Sequence, residues 1–312
     1  MRSRPRRSVA WGLLRLSKLF VYQHYFGWAL AWLALTPAAL HRHGATASMC
    51  LFLLGSMGIV TCACSADDIA GFRNGSDAVN YRASERRRNI QAKPLLSGAI
   101  AEREAVAFAA CAAVVAAAAG MAAFWALSWQ APLAAYVIYV AGAVFSVQYS
   151  AGLRFSYHRG GAETLLCLAT ASGLLAPYLA VERHVSAPAV IQALLLGLWL
   201  VMVSSYSNVN DAEGDAAVGR RTLAVTTGPG TFKAMMVVFF LASAGLVCGL
   251  ALGTRWPWWT LLTMLPATAL HATQLYVGPV RGQWLRARKR GLRAYDLGFL
   301  GIGIPTLFVL LR

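Results

Sequence analysis

Asn208, Asp211 and Asp215 stand three and then four residues apart, so a helix running through them would set one amide and two carboxylates along a single face. Hard oxygen donors in that arrangement suit a divalent cation such as Mg2+, which keeps several waters and completes its shell with substrate phosphate. Glu213 would point elsewhere on that helix, while Gly214 and Gly219 let the chain turn toward Arg220 and Arg221, two candidate phosphate partners. A similar stretch lies earlier. On a continued helix Asp67, Asn74 and Asp77 would share a broad face with Asp68 one step round, although Gly71 and Gly75 argue against that helix continuing. A basic run of Arg82, Arg86, Arg87, Arg88 and Lys93 follows and ends at Pro94, whose fixed φ restarts the chain. Charged loops are ordinarily just solvated. Two of them, each joining carboxylates to guanidinium groups, describe a cradle for a metal diphosphate.

The elements that hold these residues follow from composition. With 58% hydrophobic and 13% charged residues and a mean hydropathy of +0.55, the chain reads as an all-α polytopic membrane protein. Lipid leaves unpaired backbone groups unsatisfied, so the apolar runs are read as helices. Nine spans are expected around a central apolar cavity, at roughly 19–41, 45–67, 100–127, 131–150, 162–181, 188–210, 232–253, 256–279 and 294–311. Together they make a single transmembrane catalytic domain over residues 1–312, with active-site loops at about 68–99 and 211–231. The leader MRSRPRRS is basic, but Tyr, Trp and Gln interrupt the first apolar run, which does not read as a cleaved signal.

The net charge of +16 invites a nucleic-acid reading, and its distribution excludes one. With the N-terminus inside, all of the 28 Lys and Arg residues except Arg42, Arg183, Arg255 and Arg312 fall on the inner side. The charge is topology, with membrane lipid as the partner, and both acidic stretches are expected to face the cytoplasm. The basic loop at 281–293 is read as an ordinary positive-inside stop. None of the six cysteines suggests a disulfide framework, and Cys62 and Cys64 lack the partners of a metal site. The Ala-rich run AACAAVVAAAAGMAA is helix-packing material.

At NDAEGDAAVGRRTLAV the chain resembles the UbiA superfamily of intramembrane prenyltransferases, whose second motif is D-x-x-x-D followed by G-x-x-T-L-A-V. PLLSG at 94–98 is similar to the close of that family's first loop, with Lys93 where Arg is usual, and YSAGLRFSYHRGGAETL is similar to its basic hinge between helices four and five. The resemblance implies nine transmembrane helices with the N-terminus inside and carries Asp211 and Asp215 over as Mg2+ ligands, with Asn208 at an earlier polar ligand's position; Asp67, Asp68 and Asp77 are the candidate Mg2+ ligands of the first cluster. It further implies a prenyl diphosphate substrate and an aromatic or other small-molecule acceptor; Arg88, Lys93, Arg154 and Arg220, with Asn74 and Asn208, are the candidates for holding the diphosphate. The first motif departs from N-D-x-x-D-x-x-x-D. Matching Asp67 to its first Asp places Ala70 and Asn74 at the next two positions, whereas counting back from PLLSG selects Asp77, Asn80 and Ser84.

The implied chemistry is departure of diphosphate and formation of an allylic cation in a dry pocket, where Tyr149, Tyr157, Tyr178 or Tyr206 could face it. His158 is read as a solvated loop histidine. The leading expectation is a Mg2+-dependent prenyltransferase. A terpene cyclase of the same superfamily and a non-catalytic lipid-binding or transport protein are the alternatives.

Overall fold

The computed structural model describes residues 6–81 and 90–311, and among them the secondary structure is helical with no strand. The helices are α1 (Arg6–Ser17), α2 (Phe26–Leu33), α3 (Pro37–Leu40), α4 (Ala45–Asn74), α5 (Ser76–Asn80), α6 (Glu102–Ala126), α7 (Leu133–Val147), α8 (Gly161–Glu182), α9 (Ala187–Ala217), α10 (Leu223–Thr226), α11 (Pro229–Leu252), α12 (Thr260–Leu275) and α13 (Trp284–Leu310). Short 3-10 turns at Tyr22–Tyr25, Ile90–Ala92 and Phe155–Tyr157 join some of them.

Six helices are long and apolar enough to cross a membrane, namely α4, α6, α8, α9, α11 and α13. Each of the nine expected spans has a helical counterpart, but the first, fourth and eighth are short or interrupted, so helix length does not establish nine crossings. The first expected span breaks at Thr36, whose Oγ1 accepts from Ala39 N at 3.2 Å and caps α3 ahead of Pro37. Glu182 holds that break from the end of α8, accepting hydrogen bonds from Thr36 N and Thr36 Oγ1, both at 3.0 Å. The eighth ends in a π-helical turn, Tyr276–Val280, which contains Pro279.

α9 is the axis of the bundle and packs on α8, α11 and α13, while α4 lies along α6 and α7. Small side chains make the second contact close: Ala112, Ala116, Ala119 and Ala123 of α6 are all buried. The core runs between these layers from Phe52, Phe124 and Leu174 to Trp199, Tyr295 and Ile302. Outward, Val114, Met121, Leu133, Leu168, Leu262 and Ile304 stay exposed, which is the inverse of a water-soluble surface and suits lipid.

Two helices run further than the sequence implied. α4 passes Gly71 and ends only at Gly75, where φ is +81°, a left-handed turn that glycine makes without steric cost. α9 continues past Asn210 to Ala217, so residues 68–74 and 211–217 are helical rather than loop. Their last turns hold the acids.

Candidate active site

Each of these two long helices shows one continuous stripe to the same interior space. On α4 the stripe is Ser56, Ile59, Val60, Ala63 and Asp67; on α9 it is Leu200, Val203, Ser204, Asn208, Asp211 and Asp215. The steps of three and four residues keep each set on one face, and the face changes from apolar to oxygen-bearing as the helix leaves the hydrophobic layer. α7 and α8 complete the wall with residues such as Gly142, Ser146, Leu166 and Gly173. The cavity has a volume of about 510 Å³, greasy along its length and charged at one end.

The reversal at Gly75 returns the chain across that charged end. α5 then brings Asp77 and Asn80 to the cavity wall between α4 and α9. Asn80 sits so close to α9 that a Cβ on Gly214 would meet its side-chain amide, which would have to shift.

Cations of the chain itself meet these carboxylates. Lys93, itself buried, places Nζ 2.9 Å from Asp68 Oδ1 and 2.8 Å from Asp77 Oδ2. Arg220 spans the two acidic clusters: its Nη2 lies 2.9 Å from Asp67 Oδ1 and its Nη1 lies 3.5 Å from Asp215 Oδ1. Ser150 Oγ donates to Asp67 Oδ1 at 2.6 Å and accepts from Arg220 Nη2 at 2.9 Å. Arg220 reaches this position because Gly219, with φ of +78°, turns the chain back, and Arg220 N donates to Asp215 O at 2.9 Å. Farther on, Glu163 Oε1 accepts from Leu223 N at 2.9 Å, which ties the T-L-A-V turn to the start of α8.

Burial disfavours each isolated charge here, and the neighbours decide the outcome. Burial works against the Lys93 and Arg220 cations, but the carboxylates around them raise both pKa values, so both stay protonated. Burial pushes the Asp77 carboxyl above its ordinary value, by more than the Lys93 ammonium pulls it down. Tyr149, which lines the cavity, is pushed up by burial and then by Asp67, so its phenol keeps its proton.

Of the residues singled out from the sequence, Asp67, Asp77, Lys93, Asn208, Asp211, Asp215 and Arg220 all line this one cavity. The others do not. Asp68 lies beneath the wall, turned to the lysines. Asn74 Nδ2 donates to Tyr157 OH at 3.0 Å, and the Arg154 guanidinium stacks over the Tyr157 ring at 5.7 Å. Arg88 and Ser84 lie outside the described residues. Among the candidate tyrosines only Tyr149 is on the wall; Tyr178 OH donates to Ser186 Oγ, and Tyr206 packs beside Phe232 and Trp284. The sequence reading missed Lys18, Arg288 and Tyr81, which also line the cavity. Both cations had been counted only as inner-side charge.

Among the described residues no three His, Cys, Asp or Glu side chains converge on one point, so the wall is not an all-protein metal cage. Paired carboxylates with an amide fit Mg2+ as it is usually held, by one or two carboxylates with water and phosphate completing the shell.

The profile of the UbiA prenyltransferase family matches residues 25–292. No protein of curated function matches the chain by sequence. Among solved structures, a digeranylgeranylglyceryl phosphate synthase superposes with a TM-score of 0.66 at 16% identity, over 96% of this chain and 99% of that one. A UbiA homologue from Archaeoglobus fulgidus bound to DMAPP and Mg2+ gives 0.65 at 16% identity, over 94% and 99%. The apo UbiA homologue from Aeropyrum pernix gives 0.63 at 16% identity, over 95% and 98%.

Proposed function

The chain belongs to the UbiA prenyltransferase family, and from that premise we propose that it is a Mg2+-dependent intramembrane prenyltransferase acting on a prenyl diphosphate and a small-molecule acceptor. One observation carries the reading: two oxygen-bearing helix faces, each apolar below, meet at one end of a greasy cavity and are bridged there by Arg220. A prenyl diphosphate has the same division, with an apolar tail and an anionic head.

In this reading the C1–O bond of the donor breaks, and both electrons leave with the diphosphate. The acceptor's nucleophilic atom then captures the allylic cation and gives up a proton. Asn208, Asp211 and Asp215 on one side, with Asp67 and Asp77 on the other, would hold Mg2+. Bound there, the ion supplies Lewis-acid stabilisation of the charge building on the leaving oxygen. Lys93 and Arg220 stay cationic and orient the diphosphate oxygens. The apolar stretch formed by Ile59, Val60, Leu166 and Leu200 excludes water from the cation, and the protonated Tyr149 ring offers it a π face. The positive-inside distribution of charge supports a cytoplasmic position for this end of the bundle.

Departure of the first motif, which supplies three carboxylates in neither register, supports cyclisation of the donor as a second reading. Product mass separates the two, because a cyclase yields a hydrocarbon or alcohol without any acceptor. Purified protein incubated with Mg2+ and prenyl diphosphates of several lengths should release inorganic diphosphate. Asp211→Ala and Asp215→Ala should each lower that release by about 10²-fold or more. Full release by both variants sinks the site, and no release from any donor leaves a lipid-binding or transport protein.

A further inference from the structure

Lys18 has no place in either acidic motif, yet it reaches the site. It follows α1 directly, in left-handed backbone with φ of +52°, a conformation a side-chain-bearing residue keeps only where its surroundings enforce it. Ser17, fully buried, fixes the turn by donating from Oγ to Leu14 O at 2.8 Å and accepting from Leu19 N at 3.3 Å. α1 is in turn docked through Leu16 onto Ile69, Leu95 and Ile100. The result is a lysine whose Nζ lies 3.1 Å from Asp68 Oδ1, while its side chain lines the cavity and keeps 35% of its surface accessible.

Asp68 Oδ1 is thus shared. It accepts from Lys18 at 3.1 Å and from Lys93 at 2.9 Å, and its side chain is only 3% exposed. Both lysines face the cavity and Asp68 does not. A carboxylate with two ammonium groups on the same oxygen, sealed beneath the wall, is poorly placed to bind a cation. It is well placed to hold two ammonium groups apart and aimed at an anion. Burial opposes the Lys18 charge, but Asp68 and its neighbours raise its pKa well above the ordinary value, so the group is cationic across the working range.

We propose that Lys18 is a diphosphate-binding residue supplied from outside the acidic motifs, and that Asp68 is a positioning residue that aims Lys18 and Lys93 rather than a metal ligand. The inference rests on the prenyl diphosphate reading above. It assigns the anion's oxygens to a fixed ammonium pair on the α4 side of the cavity, and it makes α1 part of the site.

Two titrations on the full chain in lipid nanodiscs test it: Mn2+ alone, followed by electron paramagnetic resonance, and inorganic pyrophosphate at saturating Mg2+, followed by calorimetry. Lys18→Met should weaken pyrophosphate binding by roughly tenfold, the equivalent of one charge-assisted hydrogen bond, and leave Mn2+ affinity unchanged. Asp68→Asn should behave in the same way, whereas Asp211→Asn should lose Mn2+. Lys18→Arg, which keeps the charge, should restore most of the affinity and guards against a folding artefact. Wild-type pyrophosphate affinity in Lys18→Met, or loss of a Mn2+ ion in Asp68→Asn, overturns the assignment. Wild-type protein that binds pyrophosphate but releases none from prenyl donors sinks the reaction reading and leaves this anchor standing.

Discussion

Arg220 touches both acidic clusters, and its removal has a defined cost. Arg220→Met strands Asp67 and Asp215 without their shared cation, and breaking a buried ion pair from one side typically costs about 3 kcal/mol. Unfolding of that variant in a mixed-micelle denaturant series should show a loss of this order; an unchanged midpoint would mean the clusters are solvated in the folded protein. Asp77 offers the opposite sign. Its folded pKa lies above the ordinary 3.8, so the folded state holds the proton more tightly and wild-type stability is lost as pH rises through that interval. Asp77→Asn carries no such charge. In the absence of divalent cation its advantage in midpoint over wild type should grow with pH above 3.8 and then level off, and a flat difference would contradict the burial of Asp77. That Asn208, Asp211 and Asp215 share a face was legible from spacing alone, since a short helical run fixes its own geometry. Lys18 was not legible: it meets Asp68 across 50 residues of chain, and nothing local marks that contact.

Helix ends, more than helix middles, shape this protein. The apolar spans were readable because lipid demands long uninterrupted runs, and α6, α8 and α11 begin and end within a few residues of expectation. The ends were harder. Gly71 and Gly75 weigh equally against a helix by propensity, but Gly71 is buried against Asp77 inside α4 while Gly75 takes the left-handed turn that ends it. Tertiary packing overrode propensity at the first and agreed with it at the second. The approach of α5 to α9 makes this testable. Gly214→Ala would set a methyl against the Asn80 amide, which must swing aside and leave its place on α9, a cost at the lower end of the roughly 1–3 kcal/mol of overpacking. Asn80→Ala in the same chain should relieve most of that loss; a fully additive double variant would show that α5 does not press on α9.

The molecule as a whole is an inside-out solid, apolar where it meets lipid and ionic at one rim of its interior. Its asymmetry of charge gives it a direction, with the acid-bearing rim predicted to face the cytoplasm. Cysteine placed at Gly228, where a side chain would meet nothing within 4 Å, should react with a membrane-impermeant maleimide in inside-out vesicles and not in right-side-out ones. Cysteine at Gln130, between α6 and α7, should show the reverse pattern. Equal labelling of both from one side would remove the proposed orientation.

Asp77 reaches the cavity wall from a separate short helix, and its carboxylate lies against Gly71 of α4. An acid thus stands at that wall beside Asp67 of α4, carried there by a neighbouring segment. What the wall needs is negative charge at a point in space, and the chain can deliver it from whichever backbone segment passes there.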